Sequence, residues 1–170
     1  MISAANIAGY FAAHAILSVS ESLLLIPMLA YTTEEGERVM ARFVGDDAAE
    51  SVAMGKRKLQ SNDMDADDAC LLYDGRIPIG QEKSDAIIIE MRAYFSPHSE
   101  AIIAIPYTPG TPGKFPLRKP QPFRVHKPKL IGWENCEDFD INAVFEAFFE
   151  GVDSHEKGAK VWNSSLDESK

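Results

Sequence analysis

The stretch SDAIIIEMRAYFSPHSEAIIAIPY, residues 84–107, decides the fold class of this chain. Residues 84–95 and residues 100–107 are both rich in isoleucine and carry aromatic side chains, a composition that favours β-strands. The SPHS segment between them, residues 96–99, combines serine and proline and is typical of a turn. The stretch therefore predicts two strands joined by a turn.

The residues before this pair predict two helices and three strands. Residues 22–33 are apolar on both faces and predict a buried strand with an edge or bulge at Pro27. In residues 38–43, Val39, Ala41 and Phe43 alternate with Arg38, Met40 and Arg42, which predicts the hairpin partner of this strand, with one face exposed to solvent. Residues 45–60 predict a helix that Asp46 caps, and residues 69–75 predict a short buried strand that ends in an Asp74-Gly75 turn. The first helix is predicted from one apolar face, formed by Ala8, Phe11, Ala12, Ala15, Ile16 and Val19.

The C-terminal part predicts one looser strand over residues 122–133 and a final helix. Asp138 or Asp140 can cap this helix, and Gly151 can end or bend it. We expect the helix to dock on the sheet through Ile141, Phe145 and Phe148. Its complete apolar face consists of Ile141, Val144, Phe145, Phe148 and Val152.

The resulting order of elements is α-β-β-α-β-β-β-β-α, which predicts an α+β fold. We expect a mainly antiparallel or mixed sheet of about five to six strands, packed by three helices. A chain of 170 residues with 45% apolar content suits a single domain, which we place at residues 1–163. Residues 164–170 are expected to form a frayed tail.

Charge and cysteine content limit the compartment and the partners. A net charge of −9 repels phosphate backbones, so we expect no nucleic-acid binding. Two cysteines that form no CxxC motif indicate free thiols in a reducing, cytoplasmic compartment. Residues 1–20 lack the basic start of a signal peptide, and polar residues interrupt their apolar run, so we expect no membrane span.

The acidic run DMDADD, residues 63–68, resembles half of a calcium loop. An EF-hand loop that starts at Asp63 needs glycine at its sixth position and glutamate at its twelfth. Asp68 and Asp74 occupy those positions. The run is therefore interpreted as a solvated linker, and no metal site is predicted.

No motif of nucleophilic, metal or cofactor chemistry is present in the sequence. Cys136 lies beside Glu134 and Glu137, whose charges raise the pKa of a thiol, and Cys70 is expected to be a small core residue. The chain has no HExxH, GxSxG or P-loop. We therefore predict no catalytic residue and no cofactor, and the sequence favours a non-enzymatic protein. The four histidines, none of them paired at helical spacing, are His14, His98, His126 and His155.

A basic, proline-rich segment is the feature that stands out most. Residues 101–133 contain no acidic residue, six lysines and arginines, and seven of the ten prolines. Subtracting these six positive charges from the net charge of −9 leaves −15 on the rest of the chain. One interpretation is a loop that protects a sheet edge, and the other is a binding element. The candidate binding residues are Lys114, Arg118, Lys119, Arg124, His126 and Lys127.

Two functions remain open from the sequence. The first is a non-enzymatic protein-binding or accessory module whose partner is a second copy, in a homodimer, or another protein. Small acidic α+β proteins of this kind include secretion chaperones and toxin-immunity proteins, which is a fold-level analogy. The second is a small-ligand binder or an enzyme in which residues 108–121 form a lid over an anionic small molecule.

Overall fold

The computed structural model describes residues 1–33, 35–95, 99–112, 119–133 and 140–168. These residues form an α+β fold with four helices and a mixed, eight-stranded sheet, so the predicted class is confirmed and both counts were too low. The helices are α1 (Ile2–Ser20), α2 (Ala48–Ser61), α3 (Ile141–Asp153) and α4 (Glu156–Ser165). The strands are β1 (Met28–Thr32), β2 (Arg38–Arg42), β3 (Asp68–Ile79), β4 (Glu82–Ala93), β5 (Glu100–Thr108), β6 (Arg124–His126), β7 (Lys129–Ile131) and β8 (Leu166–Asp167).

The sheet is built on the long hairpin of β3 and β4. Its strand order is β2-β1-β3-β4-β5-β6-β8, and β7 pairs with β5 as well. All pairs are antiparallel except β6 with β8. The predicted hairpin of β1 and β2 is confirmed, and β2 forms one end of the sheet.

The predicted turn at Asp74-Gly75 was wrong. β3 continues to Ile79, and the chain reverses at Gly80, whose φ of 61° lies in the left-handed region that glycine adopts readily. The continuation is stable because Ile77 is buried against Ala86 and Ala104 of the neighbouring strands. The SPHS turn was predicted at residues 96–99, of which residues 96–98 lie outside the described residues.

Helix α1 is the core helix of the fold. It packs on β1, β3 and β4 with one side and on α3 and α4 with the other, so it is buried more widely than its predicted face. Its length and composition would also allow it to cross a membrane, a property shared by core helices of soluble proteins and by signal sequences near an N-terminus. In this protein 61% of the 18-residue apolar stretch of this helix is buried inside the fold.

Helix α3 packs against α1 rather than against the sheet, which corrects the predicted docking. Phe148 is fully buried, whereas Phe145 is only partly buried. Compared with the predicted apolar face, the face of α3 that contacts α1 is turned towards Gly151, because the backbones of α1 and α3 approach each other closely at that glycine. Asp140 caps the helix and accepts hydrogen bonds from the amides of Asn142 and Ala143 at 2.9 and 3.1 Å, and Asp138 lies outside the described residues.

The start of the predicted first strand and the cap of the second helix also need correction. Residues 22–27 form no strand: Ser22 has a φ of 60°, and β1 begins only after Pro27. Asp47, not Asp46, caps α2 and accepts from the Glu50 amide at 2.8 Å. The Glu50 carboxylate accepts from the Asp46 amide at 2.7 Å, so it reaches back to the residue before the cap, in an arrangement similar to a capping box.

The C-terminal elements are more numerous than predicted. Residues 122–133 form two short strands, β6 and β7, because Pro128 between them has no amide to donate to a ladder. Residues 164–167 were assigned above to a frayed tail, but they form the last residues of α4 and the strand β8, which pairs with β6. The buried indole of Trp162 holds α4 in place against Phe148.

Candidate functional site

The predicted basic binding residues do not converge on one described pocket. Lys114 and Arg118 lie outside the described residues, while Lys119, Arg124 and Lys127 are exposed. Only His126 of the described candidates is buried. The histidine of this set is therefore buried, whereas the lysines and the arginine that the structure describes are at the surface.

His126 links three strands at one end of the sheet. Its Nε2 lies 2.9 Å from the hydroxyl of Thr108, and its Nδ1 lies 3.9 Å from a carboxylate oxygen of Asp167. A hydroxyl, an imidazole and a carboxylate in this order are the parts of a nucleophilic triad. However, Pro109 follows Thr108 and has no backbone N–H that could stabilise an oxyanion. We interpret His126 as a structural link between β5, β6 and β8.

An open cleft of about 430 Å³ lies beside His126. Thr108 and Pro109, the first residues of the predicted lid, are part of its lining. The lining carries the carboxylates of Glu82 and Asp85 together with Lys83, and Asp85 pairs with Arg76 at 2.9 Å, so the cleft presents charges of both signs.

A second group of polar side chains comes from three distant parts of the chain, and we call it the polar seam. It lies where the arginine side chains of β2 reach α1 and the turn between α3 and α4. The polar seam consists of Asn6, Tyr10 and His14 of α1, Arg38 and Arg42 of β2, and Ser154 and His155 of the turn.

Direct contacts hold Arg38 in the polar seam. Its guanidinium donates hydrogen bonds to the Asn6 side-chain oxygen at 3.1 Å and to the Ser154 hydroxyl at 3.2 Å. The same group lies 4.3 Å from the centre of the Tyr10 ring, which is a cation–π contact. Three side chains, two from α1 and one from the turn between α3 and α4, therefore hold this arginine.

The second half of the polar seam is formed by two histidines and Arg42. The His14 and His155 rings lie 5.6 Å apart, and His155 lies 4.9 Å from Tyr10. Burial lowers the pKa of His14, and electrostatic interactions with His155 and with the Arg42 guanidinium lower this pKa further. His14 is therefore mainly neutral at pH 7.

The lowered pKa of His14 predicts a pH-dependent stability. Because the folded protein holds this proton more weakly than the unfolded chain, its stabilising contribution is complete above the unfolded pKa of about 6.5 and is lost as pH falls below it. His14→Gln removes this contribution. Urea unfolding at pH 7.5 and pH 5.5 should show a smaller loss of stability on acidification in the variant than in the wild type. An equal loss in both proteins would contradict the assignment.

The outer edge of β2 borders the polar seam and is open. The Phe43 amide donates to the Pro27 carbonyl, and the Thr33 amide donates to the Glu37 carbonyl. Because hydrogen-bonded and non-hydrogen-bonded pairs alternate along two antiparallel strands, these bonds show that Val39 and Ala41 are the residues of β2 that exchange hydrogen bonds with β1. The amides and carbonyls of Arg38, Met40 and Arg42 therefore point away from the sheet. No described strand pairs with β2 on that side.

Exposed apolar side chains continue this edge at one end. Leu24 is 84% exposed before β1, and Val44 is 75% exposed after β2. The bond between the Phe43 amide and the Pro27 carbonyl, 2.9 Å long, brings the two segments together. Exposed apolar side chains beside an open strand are typical of a protein contact.

Cys70, Lys56 and Tyr73 have raised pKa values, which keep all three side chains protonated at neutral pH. Burial raises the pKa of the Cys70 thiol far above its ordinary range, so the thiol stays protonated. The Glu90 carboxylate accepts from Tyr73 at 2.6 Å and pairs with Lys56 at 2.6 Å. The hydrogen bond to Glu90 raises the pKa of Lys56, and burial raises the pKa of Tyr73 to about 12.

The carboxylates of the DMDADD run point in different directions. Asp63 pairs with Lys58 at 2.6 Å and is exposed, and Asp65 has a φ of 53° in the linker. Asp68 is buried in β3, with one oxygen 4.0 Å from the amino group of Met1. Within the described ranges, no group of three or more histidine, cysteine or acidic residues is placed to hold a metal ion.

Neither a scan of protein-family models nor searches of curated proteins and solved structures finds a match.

Sequence reasoning missed the polar seam because its members come from three separate segments. One signal was present: Asn6, Tyr10 and His14 are spaced four residues apart and form a polar stripe on an otherwise apolar helix. From Asn6 to His14 the helix rises about 12 Å, and from Arg38 to Arg42 the strand rises about 13 Å. The matching rises let the polar stripe of α1 follow the arginines of β2.

Proposed function

We propose that this protein is a non-enzymatic protein-binding module that accepts an extended segment of a partner protein along the open edge of β2. The observation that carries the proposal is the unpaired row of backbone groups at Arg38, Met40 and Arg42. An incoming strand would gain hydrogen bonds to these groups, which is the basis of recognition by β-strand addition. The exposed Leu24 and Val44 enlarge the contact at one end of the edge.

The charges on β2 favour a different protein over a second copy at this edge. If two β2 strands paired antiparallel over their full length, Arg38 of one copy would lie opposite Arg42 of the other. Like charges directly opposite each other destabilise a strand pair. We also propose a reducing, cytoplasmic compartment, which the free, buried thiol of Cys70 supports.

The proposal is tested with short synthetic peptides of alternating sequence that differ only in charge. We expect at least one peptide to slow hydrogen exchange of the Arg38, Met40 and Arg42 amides, measured by NMR. The amides of Val39 and Ala41, already paired with β1, serve as internal controls. If every peptide leaves the three outward amides unchanged, the proposed function is wrong.

Self-association through the basic segment stays a separate prediction. An acidic body and a basic segment on one chain attract each other between copies, and this attraction weakens as salt rises. Sedimentation at low salt should show a dimer, and changing Lys114, Arg118 and Lys119 together to glutamate should loosen it. A monomer at high micromolar concentration and low salt would contradict this prediction.

A further inference from the structure

We propose that the polar seam recognises carboxylates, so that the segment bound at β2 is an acidic strand with negative side chains opposite Arg38 and Arg42. This inference rests on the proposed function and adds the chemistry of the partner. Its basis is the placement of two guanidinium groups and two imidazoles beside the same open edge.

The face of β2 defines the pattern that the partner needs. Arg38, Met40 and Arg42 point to the same side of the sheet, because side chains alternate along a strand. Met40 packs on the hydrophobic core between the two arginines. A complementary antiparallel strand therefore carries an acidic, an apolar and an acidic residue at alternate positions, since cross-strand neighbours on one face contact each other.

The two arginines are suited to carboxylates in different ways. Arg38 is already held by Asn6, Ser154 and Tyr10, so binding costs it little conformational entropy. Arg42 is exposed, and the structure gives it no hydrogen bond or ion pair with a described residue. A carboxylate placed opposite Arg42 would add a charge-assisted hydrogen bond.

His14 makes this recognition dependent on pH. The titratable and charged groups that act on it are His155 at the start of α4 and Arg42 on β2. In the free protein burial disfavours protonation of His14, and the electrostatic effects of His155 and Arg42 disfavour it further. A bound carboxylate reverses that effect, so binding takes up a proton and becomes tighter as pH falls.

The test uses three peptides that share one sequence except at two positions. The first has the core Glu-Thr-Leu-Thr-Glu, the second has glutamine at both glutamates, and the third has lysine. Isothermal calorimetry should show that the glutamate peptide binds at least about tenfold more tightly than the glutamine peptide, and that the lysine peptide binds most weakly. The glutamate peptide should bind at least about threefold more tightly at pH 5.5 than at pH 7.5.

Variants of the protein separate the polar seam from general attraction of charge. Arg42→Gln should weaken the glutamate peptide about tenfold, and His14→Gln should remove most of the pH dependence. Lys127→Gln is the matched control, because it removes one exposed positive charge just after β6, away from the polar seam. Circular dichroism at both pH values checks that each variant is folded.

The outcomes distinguish this inference from the proposed function. If the glutamate and glutamine peptides bind equally well and both slow exchange of the outward β2 amides, strand addition stands and carboxylate recognition is wrong. Equal effects of Arg42→Gln and Lys127→Gln would also overturn carboxylate recognition. If no peptide slows exchange at β2, both proposals fail.

Discussion

Replacing Phe148 by alanine should destabilise the protein by about 3 to 5 kcal/mol, measured by urea unfolding. The ring is fully buried in α3 and lies 6.1 Å from the indole of Trp162. Its removal leaves a cavity where α1, α3 and α4 meet, and the packed helices can collapse into that cavity only in part.

Phe145→Ala is the matched control for this prediction. Phe145 is on the same helix but is only partly buried, so its removal should cost about 1 kcal/mol. Equal losses of stability in the two variants would show that the face of α3 that contains Phe148 does not pack against α1.

Replacing Gly151 by alanine should destabilise the protein by about 3 kcal/mol, although the same change in an open helix stabilises it by about 1 kcal/mol. A Cβ at Gly151 would overlap the Asn6 carbonyl oxygen on α1, and a Cβ at Gly9 would overlap that of Phe148 on α3. Because these neighbours are backbone atoms, the helices must move apart. Gly9→Ala should have a similar effect.

The sign of the change decides this prediction. Glu150→Ala, on the exposed side of the same helix, should alter stability by less than about 0.5 kcal/mol. A Gly151→Ala variant more stable than the wild type would mean that α1 and α3 are not in close backbone contact.

The sequence predicted the elements in which side-chain periodicity and burial agree. β4 and β5 were recognised because each is rich in isoleucine, and α3 was recognised from its apolar face and the capping residues Asp138 or Asp140, of which the structure shows Asp140. Phe145 was misjudged because periodicity gives most weight to large side chains. The contact itself is formed around Gly151 and Ala147, whose small size permits the close approach of α1.

Other elements depend on contacts that no local pattern shows. α4 has few apolar residues, and Trp162 and Ala159 become its buried face because α1 and α3 pack against this helix. Asp74-Gly75 has the composition of a turn but lies within a strand, where β4 pairs with it. In both cases tertiary packing overrides local propensity.

The candidate site shows the same limit. The basic segment was visible because its charges are neighbours in the sequence, whereas the polar seam is assembled by the fold from residues 6–14, 38–42 and 154–155. Only the spacing of Asn6, Tyr10 and His14 could have drawn attention to it. The open edge of β2 could not be read from the sequence, because strand order is a property of the whole sheet.

The most direct test of the central claim is hydrogen exchange along β2 in the protein alone. If the edge is open, the amides of Met40 and Arg42 should exchange at least about tenfold faster than those of Val39 and Ala41, which donate to β1. Such an alternation along one strand is the signature of a sheet edge that is free to accept a partner. Equal protection of all four amides would show that the edge is already covered, and it would contradict the binding site proposed here.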